Sequence, residues 1–251
     1  MEPKTNTAVP LDCDPSIPDQ LAPEFITGHT ADGQPVMDGA FTIARAVFVG
    51  LSDAAALMGD ADANIRRAGI TDPITTDRLR TAATKQMVRA QKLVADGLSA
   101  LEARADQVQA AIDNEALNLS TTRLDVNENA RAGEIRRFLA GLPREERLET
   151  IRKAITIDKD RAVASAVLSN SPWAVGLSAK DAEFIRADAE RVFAPDLVRL
   201  RSSLARLRSL VENAGTSIVK RYGALTGVGG SRAAAAQRSL TALEKAGGQN
   251  G

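Results

Sequence analysis

Cysteine, histidine and aromatic residues are nearly missing from this chain. Among 251 residues there is one cysteine, Cys13, one histidine, His29, and one tryptophan, and aromatics make up 3%. A single cysteine excludes an internal disulfide framework and a cysteine metal cluster; it fits a free thiol in a reducing compartment, and pairing between subunits is the alternative. A single histidine removes the multi-ligand zinc sites. A Ser-His-Asp triad would have to use His29, which sits in a proline-rich stretch before Thr-Ala-Asp-Gly, whereas a triad needs a rigid scaffold. Lys and Arg balance Asp and Glu, 32 against 32, so net charge gives no reason to expect nucleic-acid or membrane affinity. The first residues, MEPKTNTAVPLDCD, lack the basic start and apolar run of a signal peptide. The most apolar stretch, GAFTIARAVFVGLSDAAALMG, is interrupted by Arg45 and Asp53 and reads as a buried helix rather than a membrane span.

What is present favours helix. Hydrophobic residues make up 44%, mostly Ala, Leu, Val and Ile, and the Ala, Leu, Arg and Glu richness suits side chains that lose little rotamer freedom in a helix. Residues 1–38 are different. They hold Pro3, Pro10, Pro15, Pro18, Pro23 and Pro35 and a surplus of acid over Lys4. Proline removes donors and extends its neighbours. The segment reads either as a leader or as an extended strap on a partner surface. Residues 11–26 are the candidate strap, with Leu11, Ile17, Leu21, Phe25 and Ile26 as its anchors.

A helix is predicted over 39–58, with Phe41, Ala44, Phe48, Leu51, Ala55 and Met58 on one stripe. Asp72-Pro73 breaks the following connector, and Thr75 or Thr76 is the expected cap of a long helix over 75–118. Its heptad stripe is Met87, Val94, Leu98, Leu101, Ala105, Val108 and Ile112, and its length is on the order of 60 Å. Ser120 to Thr122 caps a further helix to Leu139. Pro143 falls in the first turn of the next one, lined by Leu148, Ile151 and Ile155. A short helix over 160–169 stops at Asn170-Ser171-Pro172. Trp173 then lies beside Val175 and Leu177 in a corner between helices, where a lone tryptophan reads as a packing plug. Ser178 caps a helix with Asp181 in its first turn.

The clearest periodic signal runs from Pro195 to Ala224. Leu197, Leu200, Leu204, Leu207 and Val211 form the candidate interaction seam, continued by Ala214, Ile218 and Leu225. Arg199, Arg201, Arg206 and Arg208 form a basic face. The first long helix is basic over 78–92 and acidic over 96–115, so charge favours antiparallel pairing of the two, within a chain or between chains. The acidic arm could instead dock on a neighbour's basic helix and give a swapped oligomer. Gly227, Gly229 and Gly230 end the helix, and 226–251 reads as a glycine-rich linker, an Ala-rich helix over 231–246 and a loose tail.

Other motifs have bland explanations. Ser217-Ile-Val-Lys220 lies inside the heptad helix without companion motifs. Asp158-Lys-Asp160 reads as a cap rather than a cation site. Gly227-Val-Gly-Gly-Ser-Arg232 follows a helix and lacks the lysine of a phosphate loop. No aromatics interleave with the arginines of 196–221, so single-strand stacking has little to rest on. No catalytic, metal or cofactor residues are expected.

Residues 139–195 carry a resemblance. The order "FLAGLPREERLETIRKAI", then "DKDRAVASAVLSNSPWAVGLSAKDAEFIRADAERVFAPDL", has an R-x-x-x-l-x-x-A helix, an aspartate-led helix ending in proline, a GLS turn and a charged helix. It resembles uncharacterised helical proteins of tailed bacteriophages and prophages, over under a quarter of the chain. The resemblance implies a phage origin and identifies no site; together with the long helices and the arm, the expectation is a structural component of a phage particle, in head, portal or tail, located in the virion, or in the cytoplasm if the chain is not phage-encoded. The expectation is an all-α protein, an elongated helical bundle or coiled-coil hairpin over 39–225 with an extended arm over 1–38. Its partners would be other protein subunits, as a homo-oligomer or larger assembly, with no membrane. The alternatives are a non-virion helical adaptor or regulator and a nucleic-acid-associated scaffold using helix 196–221.

Overall fold

The computed structural model describes residues 9–67, 72–117, 126–169 and 172–226. The fold is all-α, with one two-stranded sheet among the described residues. The chain divides into two compact units, Met1–Ala103 with Ser203–Gly251, and Arg104–Ser202. Two long helices contribute residues to both: α2, Pro73–Leu117, and α7, Pro195–Thr226. The expected cap at Ser120 to Thr122, the stop at Asn170-Ser171 and the Ala-rich segment 231–246 lie outside the described residues.

The first unit is built on α1, Gly39–Arg67, with parts of α2 and α7. The predicted stripe Phe41, Ala44, Phe48, Leu51, Ala55 and Met58 is buried. By length and composition α1 would reach across a membrane; its buried stripe packs into this unit, while Ile43, Val49 and Leu57 are exposed. The helix outruns its expected end at 58, and Asp62 and Arg66 pair one turn apart at 2.9 Å within the extra length. Two glycines let α1 and α2 approach closely. A Cβ at Gly50 would lie 2.7 Å from Leu93 Cδ1, and one at Gly97 2.6 Å from Val47 Cγ2. These pairs show that the two helices run antiparallel.

The start of α2 corrects the expected cap. Asp72 holds it, its carboxylate accepting from the backbone N–H groups of Ile74 (3.1 Å) and Thr75 (3.3 Å) and from Thr75 Oγ1 (2.5 Å). Pro73 occupies the first helical position, where its missing donor costs nothing. Here α2 and α7 run antiparallel, as the charge pattern favours. Thr84 Oγ1 donates to Thr226 O at 3.2 Å, Gly215 faces Val94, and Arg208 pairs with Glu102 at 3.9 Å.

The N-terminal segment lies on its own chain. It forms 3-10 helices at Leu11–Cys13 and Pro18–Phe25, then an antiparallel hairpin of β1, Ile26–His29, and β2, Pro35–Met37. A 3-10 helix repeats every three residues, and Pro18, Leu21 and Phe25 point inward from this one. Phe25 packs on Phe41 with ring centroids 5.5 Å apart. Of the five expected anchors, Leu21 and Phe25 are buried, Ile17 is half-buried, and Leu11 and Ile26 are exposed. Cys13, not singled out as an anchor, is fully buried, and its thiol donates to Ala214 O at 3.4 Å.

The second unit holds α3, Val126–Ala140; α4, Arg144–Thr156; α5, Arg161–Leu168; a 3-10 turn, Pro172–Val175; and α6, Ala179–Phe193. α4 packs on α5 and α6, and α3 packs on α5 and the 3-10 turn. Pro143 is the N-cap of α4 rather than its first helical residue. Asp160 caps α5, accepting from the N–H groups of Ala162 (2.8 Å) and Val163 (3.2 Å). Of the two carboxylates in Asp158-Lys-Asp160, Asp160 takes the expected capping role. Ser178 and Asp181 form a reciprocal capping box on α6. The core is Leu139, Ile151, Ile155, Val167, Val175, Leu177 and Ile185.

Candidate functional site

The residues singled out from sequence are mostly engaged within the chain. In the seam, Leu204, Leu207 and Val211 are buried inside the first unit, and Leu197 and Leu200 are half-buried. The buried part lies in the core of this unit, and a side chain already removed from water has no further area to give a partner.

The basic face is engaged as well. Arg199 pairs with Asp196 at 3.7 Å and Arg201 with Glu190 at 2.8 Å. Arg201 also donates to Gln109 Oε1 at 2.6 Å. Arg206 pairs with Glu24 of the N-terminal segment at 2.9 Å, and Arg208 with Glu212 at 3.0 Å. Ser203 donates to the same Glu24 carboxylate, and Ser217 donates to Asp12 at 2.5 Å. The acidic segment therefore meets basic α7 as charge suggests, on its own chain.

The clearest chemistry in the second unit is architectural and centres on Arg147, which sequence reasoning did not find. Its guanidinium donates to four carbonyls: Nε to Leu139 O (2.8 Å), Nη1 to Gly176 O (2.8 Å), and Nη2 to Leu142 O (2.6 Å) and Ala140 O (3.3 Å). Leu139 and Ala140 end α3, whose last carbonyls have no partner inside the helix. A planar fork of five donors suits this cluster, and an ammonium would not. Gly176 has φ +67°, and a Cβ there would lie 2.4 Å from Arg147 Nη1. Arg144 adds an ion pair to Asp181 at 3.0 Å, and Asp188 is held between Arg152 (3.1 Å) and Arg191 (3.3 Å). The GLP and GLS turns of residues 139–195 are thus tied together by one side chain.

That corner corrects the reading of Trp173. Val175 and Leu177 fill it, at 1% and 6% exposure, whereas Trp173 is 78% exposed. The short 3-10 turn sends Val175 inward and leaves the indole outside. Phe138 on α3 and Phe184 on α6 are also exposed on this unit, and Lys180 Nζ lies 6.0 Å from the Phe184 ring centroid.

No family model, curated protein or solved structure matches the chain. His29 lies exposed on β1 opposite Pro35. Burial pushes the Cys13 thiol up to about 11, with Asp12 adding to the shift. A thiol held protonated in this way is a poor nucleophile. Asp181 is held below its ordinary value of 3.8, chiefly by the Ser178 hydroxyl, which is the signature of a helix cap.

Proposed function

We propose that this protein is a structural or assembly protein that binds neighbouring protein subunits through the exposed aromatic surface of its second unit. The setting its resemblance implies is a phage particle. The observation that carries the reading is Trp173, whose indole is 78% exposed. An aromatic side chain of this size buries about 150–250 Å² when covered. At about 25 cal/mol per Å² that is worth about 3–5 kcal/mol for the exposed share. Tryptophan is also among the residues that dominate interface energetics.

The reading is non-enzymatic and calls for no cofactor; in support, Asp160 and Asp181 act as helix caps, and Arg144, Arg152, Arg201 and Arg206 are held in ion pairs. A nucleic-acid role for helix 196–221 draws little support from Arg199, Arg201, Arg206 and Arg208, each of which already faces a carboxylate of its own chain.

Light scattering during size exclusion tests the reading on the full chain and on Trp173→Ala. The expected result is a discrete oligomer that the substitution dissociates, with unchanged far-UV circular dichroism. An oligomer insensitive to Trp173→Ala would overturn it. A monomer at every concentration would overturn self-assembly and move the reading to an adaptor with a heterologous partner.

A further inference from the structure

A groove in the first unit is left open by an otherwise well-used heptad. Met87 and Leu101 of the α2 stripe are buried, but Val94 and Leu98 between them are only half-buried. They face a groove of 490 Å³ whose other wall is Gly215, Thr216 and Val219 of α7. Its two charged residues, Glu212 and Lys220, stand at opposite ends of that wall, about 12 Å apart along the helix axis. At the Glu212 end one guanidinium lies between two carboxylates: Arg208 is 3.0 Å from Glu212 and 3.9 Å from Glu102. Acid is therefore in excess there. At the other end Lys220 is exposed and makes no ion pair with a described residue.

We propose that this groove is a contact between two copies of the chain, related by a two-fold axis that crosses α7 at Thr216 and α2 at Val94 and Ala95. The ends of the groove choose the axis. In a two-fold contact the same surface meets itself. An axis running along the helices would lay Glu212 on the partner's Glu212 and Lys220 on the partner's Lys220. An axis running across them, midway between residues 212 and 220, reverses one copy on the other. It lays Lys220 of each copy on the acidic end of the other, and does so twice. Thr216 is that midpoint, and Gly215 beside it faces Val94, so the same axis meets α2 midway between Gln91 and Leu98, which also line the groove. Thr216 and Ala95 are exposed and small, which lets the two copies approach where the axis passes. The half-buried Val94, Leu98 and Val219 of each copy then close over those of the other and leave water.

The dimensions set the strength. From Arg208 to Lys220 α7 is about 18 Å long, and two helices side by side are about 20 Å wide. The paired faces cover about 350 Å² each, or about 700 Å² in total, which is the size of a weak contact. Such a contact holds at high local concentration, between subunits already placed side by side, and does not make an obligate dimer. It lies in the first unit and does not depend on the Trp173 surface.

Disulfide cross-linking tests this on the full-length chain carrying Trp173→Ala, so that the aromatic surface of the second unit plays no part. Thr216→Cys puts a thiol at the axis, where it meets its own copy, while Cys13 is buried and stays silent. Linked dimer is followed under a mild oxidant as protein concentration rises, in this variant and in the same variant with Glu212→Lys, with Lys220→Glu and with both. Far-UV circular dichroism checks that each is folded. Each single reversal sets like charges against each other at both ends of the contact, and is expected to slow cross-linking about tenfold. The double reversal should restore the rate, and so should an equimolar mixture of the two single reversals, whose ends are complementary. One common rate in all of them would mean chance collision and would overturn the proposal. Slowing by the single reversals that neither the double nor the mixture restores also overturns it, because the groove would then take something other than a second copy. So does the absence of linked dimer at the highest concentration.

Discussion

Arg147→Met removes the guanidinium fork and keeps most of the stem's bulk. Two of its four bonds, to Leu139 O and Leu142 O, are partly buried; those to Gly176 O and Ala140 O are exposed. Hydrogen bonds from charged donors contribute about 1.5–3 kcal/mol each, and exposed ones much less. Taking the lower value for the two part-buried bonds gives a loss of about 3 kcal/mol. With an m-value of about 2 kcal/mol per molar urea, the midpoint falls by about 1.5 M. Gly176→Ala should act on the same node, because φ +67° disfavours any Cβ and the new methyl meets Arg147 Nη1 at 2.4 Å. Left-handed backbone alone costs about 1–2 kcal/mol. Urea unfolding followed by far-UV circular dichroism measures both variants and their combination. The combination should cost less than the sum of the two, by about 1 kcal/mol or more. A midpoint shift below about 0.3 M for Arg147→Met, or strict additivity, would refute the view that Arg147 holds the α3 end and the Gly176 turn together.

Three further outcomes follow from the same contacts. Gly50→Ala should be neutral or stabilising in thermal melts, since the 2.7 Å neighbour is the tip of a flexible Leu93; Gly97→Ala should destabilise by about 1 kcal/mol or more, since Val47 is buried and β-branched and cannot give way. The Cys13 thiol should resist alkylation in the native chain at pH 8 and react once urea unfolds it. Its folded pKa lies above the unfolded 9.0, so its contribution to stability is complete below pH 9 and is lost as pH rises toward about 11; Cys13→Ala should flatten that alkaline decline. Asp181 is depressed below 3.8, so its contribution is present above that value and is lost as pH falls through the lower folded pKa. Melts of Asp181→Asn should therefore show a shallower acid decline than those of the parent, and an unchanged slope would count against the capping box.

Helices and some caps were legible in the sequence because their causes are local, although the cap of α2 falls on Asp72 rather than Thr75 or Thr76. The stripe of Phe41, Phe48, Leu51 and Met58 reads directly as a buried face, and Ser178 with Asp181 reads as a cap from residue type and spacing alone. Register between helices was partly legible: the charge halves of α2 and the arginines of α7 favoured the antiparallel pairing. What sequence could not supply was which apolar groups remain outside. Trp173, Val175 and Leu177 are three apolar residues in one corner, and only the 3-10 geometry decides that the tryptophan is the exposed one. Leu11 and Leu21 look alike as anchors until their turns place one in water and the other in the core. Arg147 left no periodic signal, because its partners are backbone carbonyls set by two turns distant in sequence.

The central claim is that Trp173 is covered when the chain assembles. As the only tryptophan in the chain, it reports without interference from others. Its emission maximum and iodide quenching should be followed on the full-length protein as concentration rises through the range where light scattering shows added mass. The account predicts a blue shift and a several-fold fall in quenching that track the mass. An indole that stays as accessible in the assembled protein as in the dilute one would contradict it.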